Sequence, residues 1–129
     1  MANRSRDWLR QAERDLEHAC EAQASGRHEW ACFAAHQAAE KAIKALHLSL
    51  GKEAWGHTVA RLLADLPPHP PVPLEMIDKG RVLDAYYVPT CHPNGHPEGA
   101  PFEHYGPLQS EQAIAYAGEI LTFVRTQMA

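Results

Sequence analysis

Apolar residues recur every three or four positions along most of this chain, which is the spacing of amphipathic helices. Residues 5–25 place apolar and small side chains on one face, and Gly26 is a typical helix end. Residues 28–50 follow with seven alanines, which favour helix and allow close packing, and Gly51 ends them. The second helix is therefore expected to be the centre of a bundle. For the first helix, residues 5–25, the predicted buried face comprises Trp8, Ala12, Leu16, Ala19 and Gln23, with Leu9 and Cys20 beside it.

Three further helices are predicted in the second half of the chain. A short one starts at about Thr58, a suitable N-cap, and the proline-rich segment 67–73 ends it. Pro73 suits the first turn of the next helix, which the Val88–Pro89 step is expected to end. The last helix is expected to begin near Ser110. No segment shows the alternation of a strand, so the predicted class is all-α: an up-and-down four-helix bundle with one additional short helix and a long loop before the last helix.

Length and composition narrow the class of protein. The 129 residues suffice for one domain, 1–129, and 45% hydrophobic with 22% charged residues is typical of a globular chain. No apolar run of about 18 residues predicts a membrane span, and the N-terminus does not resemble a signal peptide. The three cysteines lack disulfide or zinc-framework spacing, so we expect a cytoplasmic protein with reduced thiols. The net charge of −4 argues against strong nonspecific nucleic-acid binding.

The segment YYVPTCHPNGHPEG, residues 86–99, combines one cysteine and two histidines with prolines and glycines. It overlaps the predicted loop 89–107, and loops of about nineteen residues are unusual in compact domains and often functional. No Lys or Arg occurs between Val82 and Val124, so protonated histidines would be the only local cations. This segment is therefore the first place to look for chemistry.

Four blocks of the sequence are RDWLRQAERDLEHA (6–19), FAAHQAAEKAIKALHLSLG (33–51), GHTVARLLADL (56–66) and LDAYYVPT (83–90). Together, and in this order, they resemble the HEPN domain, named for "higher eukaryotes and prokaryotes nucleotide-binding". The resemblance implies the helical bundle already inferred and a homodimer. For many bacterial members it also implies a partner nucleotidyltransferase in a toxin–antitoxin pair. The implied ligand is a nucleotide or RNA. No cofactor, bound metal or membrane partner is expected.

Active members of this family carry an Arg followed after a short spacing by a His, and two copies of this motif face each other across the dimer. They form a metal-independent ribonuclease site. His96 matches the motif histidine, because four residues separate it from position 91. Cys91 takes the place of the arginine, and Cys91-His92-Pro93 stands where the family commonly has Arg-Tyr-Pro. Glu98 occupies the position of a tyrosine that the partner enzyme modifies in some toxins, so this modification is not expected.

The cysteine at position 91 changes the expected chemistry. Cleavage of RNA by its own 2′-hydroxyl needs a proton-transfer group, such as a histidine, and a cation for the charge on phosphorus. A guanidinium gives phosphate charge-assisted bonds worth about 1.5–3 kcal/mol each, whereas a thiol is one weak donor. Arg81 is distant, roughly 15 Å upstream by helix rise. We therefore expect a degenerate motif. The alternative is an active metal-independent endoribonuclease toxin that uses His96 and another cation, such as Lys41 or Lys44.

Other interpretations of the loop remain open from the sequence. The Asn94–Gly95 step can form a turn with positive φ and no function. Cys91 can act as a nucleophile beside a histidine base. A zinc site is a third alternative, although adjacent ligands and the absence of a CxxC pair do not match structural zinc spacing. Its ligands would be Cys91, His92, His96 and His104.

Candidates for nucleotide or RNA binding are His92, Lys44, Glu40 and Tyr87. Glu40 and Lys41 lie on the alanine-rich helix and also suit a solvated or ion-paired face, whereas the binding interpretation places Lys44 or Glu40 at the dimer cleft. One tyrosine of the Tyr86–Tyr87 pair is expected in the core, and the other is then available to stack on a base. His57 belongs to the "GH" step of the family pattern, where a capping or packing role is expected rather than catalysis.

Overall fold

The computed structural model describes residues 3–69, 71–87 and 89–129. These ranges contain helices and no strand, so the predicted all-α class is confirmed. No helix in the described part of the chain has both the length and the apolar character needed to cross a membrane. The helices are α1 (Ser5–Ala24), α2 (His28–Ser49), α3 (Val59–Ala64), α4 (Leu74–Asp84) and α5 (Pro107–Met128), with short 3₁₀ helices at Pro93–Gly95 and Pro101–His104.

The alanine-rich α2 is the central helix, as its composition predicts. It packs along α1 and α5 and also touches α3 and α4. Thirteen of its 22 residues are buried, because small side chains let neighbouring backbones approach it on several sides. The larger fully buried side chains come mostly from the helices around it, namely Leu63, Leu83, Ile120 and Leu121, together with Ile43 of α2 itself.

Glycines end the first two helices, as predicted. Gly26 and Gly51 have φ of +75° and +76°, the left-handed conformation that glycine adopts without steric cost. At the end of α1, the Arg27 N–H returns to the carbonyl of Ala22 at 2.8 Å. These turns reverse the chain and set α1 and α2 side by side.

The buried stripe of α1 differs in part from the prediction. Leu9, Ala12 and Ala19 are buried as expected, and Ala22 joins them. Cys20 is exposed, so its expected place beside the core is wrong. With 3.6 residues per turn, a residue next to the centre of a stripe points about 100° away from it.

The end of α4 also differs from the prediction. The helix ends at Asp84, and the N–H groups of Tyr86 and Tyr87 bond three residues back, at 3.0 and 3.3 Å, which tightens the final turn. Val88 of the predicted Val88–Pro89 stop lies outside the described residues. Since α4 already ends at Asp84, the turn begins before the proline. This turn places Tyr86 in the core, with 8% of its surface exposed.

The start of α5 lies at Pro107, three residues before the predicted Ser110. Proline fits the first helical turn because its fixed φ is already helical and its missing N–H is not needed there. Gln109 supports the start through its side-chain oxygen, which accepts the Gly106 N–H at 2.7 Å. Ser110 is instead buried inside the helix, where its hydroxyl lies 2.8 Å from the Nδ1 of His28.

Asp84 joins the end of α4 to the start of α3. Its two carboxylate oxygens accept the N–H groups of Val59 at 2.6 Å and Ala60 at 3.1 Å. Thr58 occupies the predicted N-cap position, but its side chain makes no capping bond, and Asp84 caps the helix in its place. Gly80 permits this close approach, since a Cβ there would lie 3.1 Å from the Ala60 nitrogen.

Candidate functional site

The motif histidine, His96, is half-buried and bonded to its own loop. Its Nε2–H donates to the Pro89 carbonyl at 2.7 Å, which leaves Nδ1 as the nitrogen with a lone pair. Its ring stacks on that of His104, with centroids 4.0 Å apart and planes within 2°. The Nε2–H of His104 donates to the Glu98 carbonyl at 2.6 Å. Both histidines thus give one nitrogen to the backbone and one ring face to each other.

The backbones of Gly95 and Pro89 lie in close contact within this loop. A Cβ on Gly95 would lie 2.7 Å from the Cα of Pro89, nearer than real Cβ atoms come to backbone. Gly95 is not among the glycines with positive φ, so the positive-φ turn predicted for Asn94–Gly95 is wrong. The glycine is needed for space, and it brings Pro89 within reach of the His96 ring.

Tyr105 also packs against the His96 ring. The two rings meet edge to face, with centroids 5.7 Å apart. Burial raises the pKa of the Tyr105 hydroxyl to about 12, and the charges of nearby ionisable groups add to this effect. At neutral pH the phenol therefore stays protonated beside His96 and adds no negative charge to the loop.

Cys91, at the position of the family arginine, makes only weak contacts. Its sulfur lies 3.6 Å from the Thr90 hydroxyl and 3.9 Å from the Tyr87 carbonyl oxygen. Among the described residues no imidazole is within hydrogen-bond distance of the thiol, so the Cys–His pair of the nucleophile hypothesis does not form. Nor do the described ranges contain a cluster of three or more His, Cys, Asp or Glu suited to a metal ion.

The cations considered from the sequence are paired elsewhere. Arg81 is exposed and pairs with Asp78 on its own helix. Lys41 donates to Asp15 of α1 at 2.6 Å. The loop itself has no Lys or Arg, since none occurs between residues 82 and 124. Within the described chain, no ammonium or guanidinium is seen to replace the missing arginine beside His96.

Three of the four binding candidates lie together outside the loop, around Glu40. The side chain of Glu40 is only 5% exposed, so of the two predicted alternatives the ion pair is present and the solvated face is wrong. Its Oε2 accepts the Lys44 ammonium at 2.9 Å and the His57 Nδ1–H at 3.1 Å. Its Oε1 is buried and has no hydrogen-bond partner among the described residues. Burying a carboxylate is costly unless its oxygens are paired, and in Glu40 only Oε2 is paired among the described residues.

His57 is fixed through its backbone as well as its ring. Its carbonyl accepts the Nε2–H of the fully buried His36 at 2.9 Å, and the same nitrogen lies 3.3 Å from Asp84. Asp84 in turn caps α3, which begins two residues after His57. The imidazole of His57 is nonetheless 58% exposed, so it is held firmly and presented to solvent.

Tyr87, the third binding candidate of this group, lies against other rings. It stacks on His57 at 5.1 Å and 16°, and on Phe33 of α2 at 6.2 Å and 21°. Trp30 meets Phe33 edge to face at 6.2 Å and is 44% exposed. We call Phe33, Tyr87 and His57 the aromatic column. His57 is its most exposed member.

The model of the HEPN domain family matches residues 5–127. The chain belongs to the HEPN domain family. No curated protein matches it. The fold and the recognised sequence blocks of this HEPN chain thus agree with the resemblance inferred from the sequence.

Three solved structures resemble this HEPN chain over nearly its whole length. TT1696 from Thermus thermophilus is 48% identical, with a TM-score of 0.95 and coverage of 98% of this chain and 99% of that one. The archaeal HEPN homologue ST0689 is 37% identical, with a TM-score of 0.84 and full coverage of both chains. An HEPN domain protein (tm0613) from Thermotoga maritima is 34% identical, with a TM-score of 0.75 and coverage of 93% and 95%.

The structure thus divides the candidate residues of this HEPN protein into two groups. His96 and Cys91 lie in the loop, where His92 is exposed. Glu40, Lys44 and Tyr87 meet around His57. The contacts that join His57, His36 and Asp84 were not predicted, because the three residues lie in separate sequence blocks that do not indicate which side chains meet.

Proposed function

We propose that this HEPN protein binds nucleotide or RNA as a homodimer and has weak or no ribonuclease activity of its own. The observation that carries the proposal is Cys91 in the arginine position, in a loop that lacks any Lys or Arg. A thiol supplies neither the positive charge nor the two-pronged hydrogen bonding with which a guanidinium holds phosphate. His96 alone can transfer protons but cannot neutralise the reacting phosphate.

We further propose that the protein works in the cytoplasm with a nucleotidyltransferase, in a module of the toxin–antitoxin type. The family resemblance supports this pairing, while Glu98 at the position of the modified tyrosine predicts a different form of control. An adjacent reading frame encoding a nucleotidyltransferase would support it, as would co-purification of the two proteins. Light scattering on the purified protein should give twice the monomer mass.

The decisive experiment restores the arginine. Cleavage of a fluorogenic single-stranded RNA is compared for the wild type, Cys91→Arg and Cys20→Arg. Cys20 is exposed on α1, so its replacement adds the same charge away from the loop. We expect the Cys91→Arg variant to cleave about 10- to 100-fold faster than the wild type, because a charge-assisted bond to phosphate is worth roughly 1.5–3 kcal/mol. The Cys20→Arg variant should match the wild type.

Two further measurements separate the alternatives. Loss of the gained cleavage in the Cys91→Arg/His96→Ala double variant would show that His96 moves the proton. Robust cleavage by the wild type, abolished by His96→Ala, would instead show an active ribonuclease and overturn the proposal. RNA binding is followed by fluorescence anisotropy, and absence of binding by the wild type would contradict the binding function itself.

A further inference from the structure

We propose that His57 is the platform on which this protein stacks a base of single-stranded RNA. The inference rests on the proposed binding function and assigns it to one side chain outside the family motif. The ligand that fits is a single strand, because its unpaired bases expose their ring faces, which those of a duplex do not.

The protein covers only part of the His57 ring. Tyr87 covers one ring face, and Glu40 occupies the Nδ1 edge. The imidazole is still 58% exposed, so its outer face and the Nε2 edge account for most of that surface. A base placed there would continue the aromatic column by one ring.

The ring is also held in place before any ligand arrives. Glu40 fixes the rotation of the imidazole, and His36 fixes the backbone carbonyl of the same residue. Asp84 bonds to His36 and to the first N–H groups of α3. A platform immobilised in this way loses little further conformational freedom when a ligand binds.

The buried carboxylate of Glu40 is explained by this role. One of its oxygens holds both His57 and Lys44, while the other has no partner among the described residues. Such an arrangement adds little to stability, because desolvation offsets the ion pair. What it achieves is the orientation of an exposed ring, since the oxygen that pairs with the Lys44 ammonium also accepts the His57 N–H.

A second exposed aromatic side chain lies close to the platform in the chain. Trp55, two residues before His57, is 82% exposed. Large apolar side chains left uncovered on a surface often mark a binding site. His96 and His104 of the loop are less exposed than His57, and each covers a face of the other.

The test compares two replacements of His57, one with an aromatic ring and one without. Binding of a labelled 12-residue adenosine homopolymer is measured by fluorescence anisotropy for the wild type, His57→Phe and His57→Asn. Phenylalanine keeps a ring but loses the bond to Glu40, whereas asparagine keeps a hydrogen-bonding group but has no ring. We expect His57→Asn to weaken binding about 5- to 100-fold, the range for one lost base stack, and His57→Phe to stay within about threefold of the wild type.

The matched control is His69→Ala, which removes an exposed histidine from a different depression, beside Leu50 and Phe123. This variant should bind like the wild type, and circular dichroism should show all four proteins equally folded. If the wild type binds and His57→Asn binds equally well, the inference is wrong while the binding function stands. Equal weakening by His57→Phe and His57→Asn would also overturn it, because the ring would then not be the contact. If the wild type does not bind at all, both proposals fail.

Discussion

The loop of residues 89–106 and the step at residues 56–58 both present histidines, but they leave the imidazole rings exposed to different extents. In the loop, His96 and His104 each donate to a backbone carbonyl and cover each other. At the step, Glu40 and His36 bond to His57 and Tyr87 covers one face of its ring, yet the side chain remains 58% exposed. A motif position therefore identifies the family, whereas the exposure of a ring decides which histidine can meet a ligand.

The two regions also differ in how they carry charge. The loop has no Lys or Arg, while the step has the Lys44 ammonium balanced by the Glu40 carboxylate. Neither region gives the strong positive field with which most nonspecific nucleic-acid binders gain affinity. Stacking is then the main attraction left to this surface.

The largest effect is expected when the support of the step is removed. In Asp84→Ala the N–H groups of Val59 and Ala60 and the buried His36 lose an acceptor. We expect the free energy of unfolding to fall by about 2–4 kcal/mol, because unsatisfied buried donors cost roughly 1–3 kcal/mol each. Urea denaturation measures the loss, and RNA binding should weaken with it.

The control for this variant is Asp78→Ala on the same helix, where the carboxylate is exposed and, among the described residues, pairs with Arg81 alone. Its effect should stay within about 0.5 kcal/mol, as is usual for surface ion pairs. Equal stability of the two variants would show that Asp84 does not hold the step together.

A smaller effect is expected from Gly95→Ala, which acts on the loop instead. The added Cβ would meet Pro89 Cα at 2.7 Å, so the backbone must shift, at a cost of about 1–3 kcal/mol. In the Cys91→Arg background this change should abolish the gained RNA cleavage while RNA binding stays within about twofold, since a displaced His96 costs proton transfer, typically about 10²-fold or more.

Gly118→Ala is the matched control, because a Cβ there meets nothing within 4 Å and the residue lies inside α5. Alanine should stabilise this helix by about 0.5–1 kcal/mol. If Gly95→Ala weakened RNA binding as strongly as it weakened cleavage, the separation of the two regions would be wrong.

The helices were predictable because their signals are local. Seven alanines at helical spacing identified the central helix, and Gly26 and Gly51 marked two ends through a conformation that other residues avoid. The predicted start of α5 is wrong by three residues because Pro107 suits a loop as well as a first helical turn.

The two candidate regions differ in the same respect. Cys91 and His96 lie in one short stretch that matches the family motif, so the resemblance identified them. Glu40 and His57 are seventeen residues apart on different elements, and nothing in their spacing predicts a hydrogen bond. The choice between Tyr86 and Tyr87 likewise depended on the tightened last turn of α4, which the sequence does not specify.

The smallest predicted effect compares the cysteine of the core with an exposed one. Burial raises the pKa of the Cys32 thiol to about 12, and the charge of Glu29 adds to this shift. In the unfolded chain the pKa of a cysteine thiol is about 8.5. Because the folded pKa is the higher one, this contribution to stability is complete below about pH 8.5 and is lost as the pH rises toward 12.

Urea denaturation at pH 8, 9 and 10 should therefore show a falling free energy of unfolding for the wild type. Cys32→Ala should flatten this decline, although the lost side chain lowers stability at every pH. Cys20→Ala should keep the wild-type slope, since the exposed Cys20 thiol is not buried by folding. Identical slopes in all three proteins would show that the thiol of Cys32 is not shielded by the bundle.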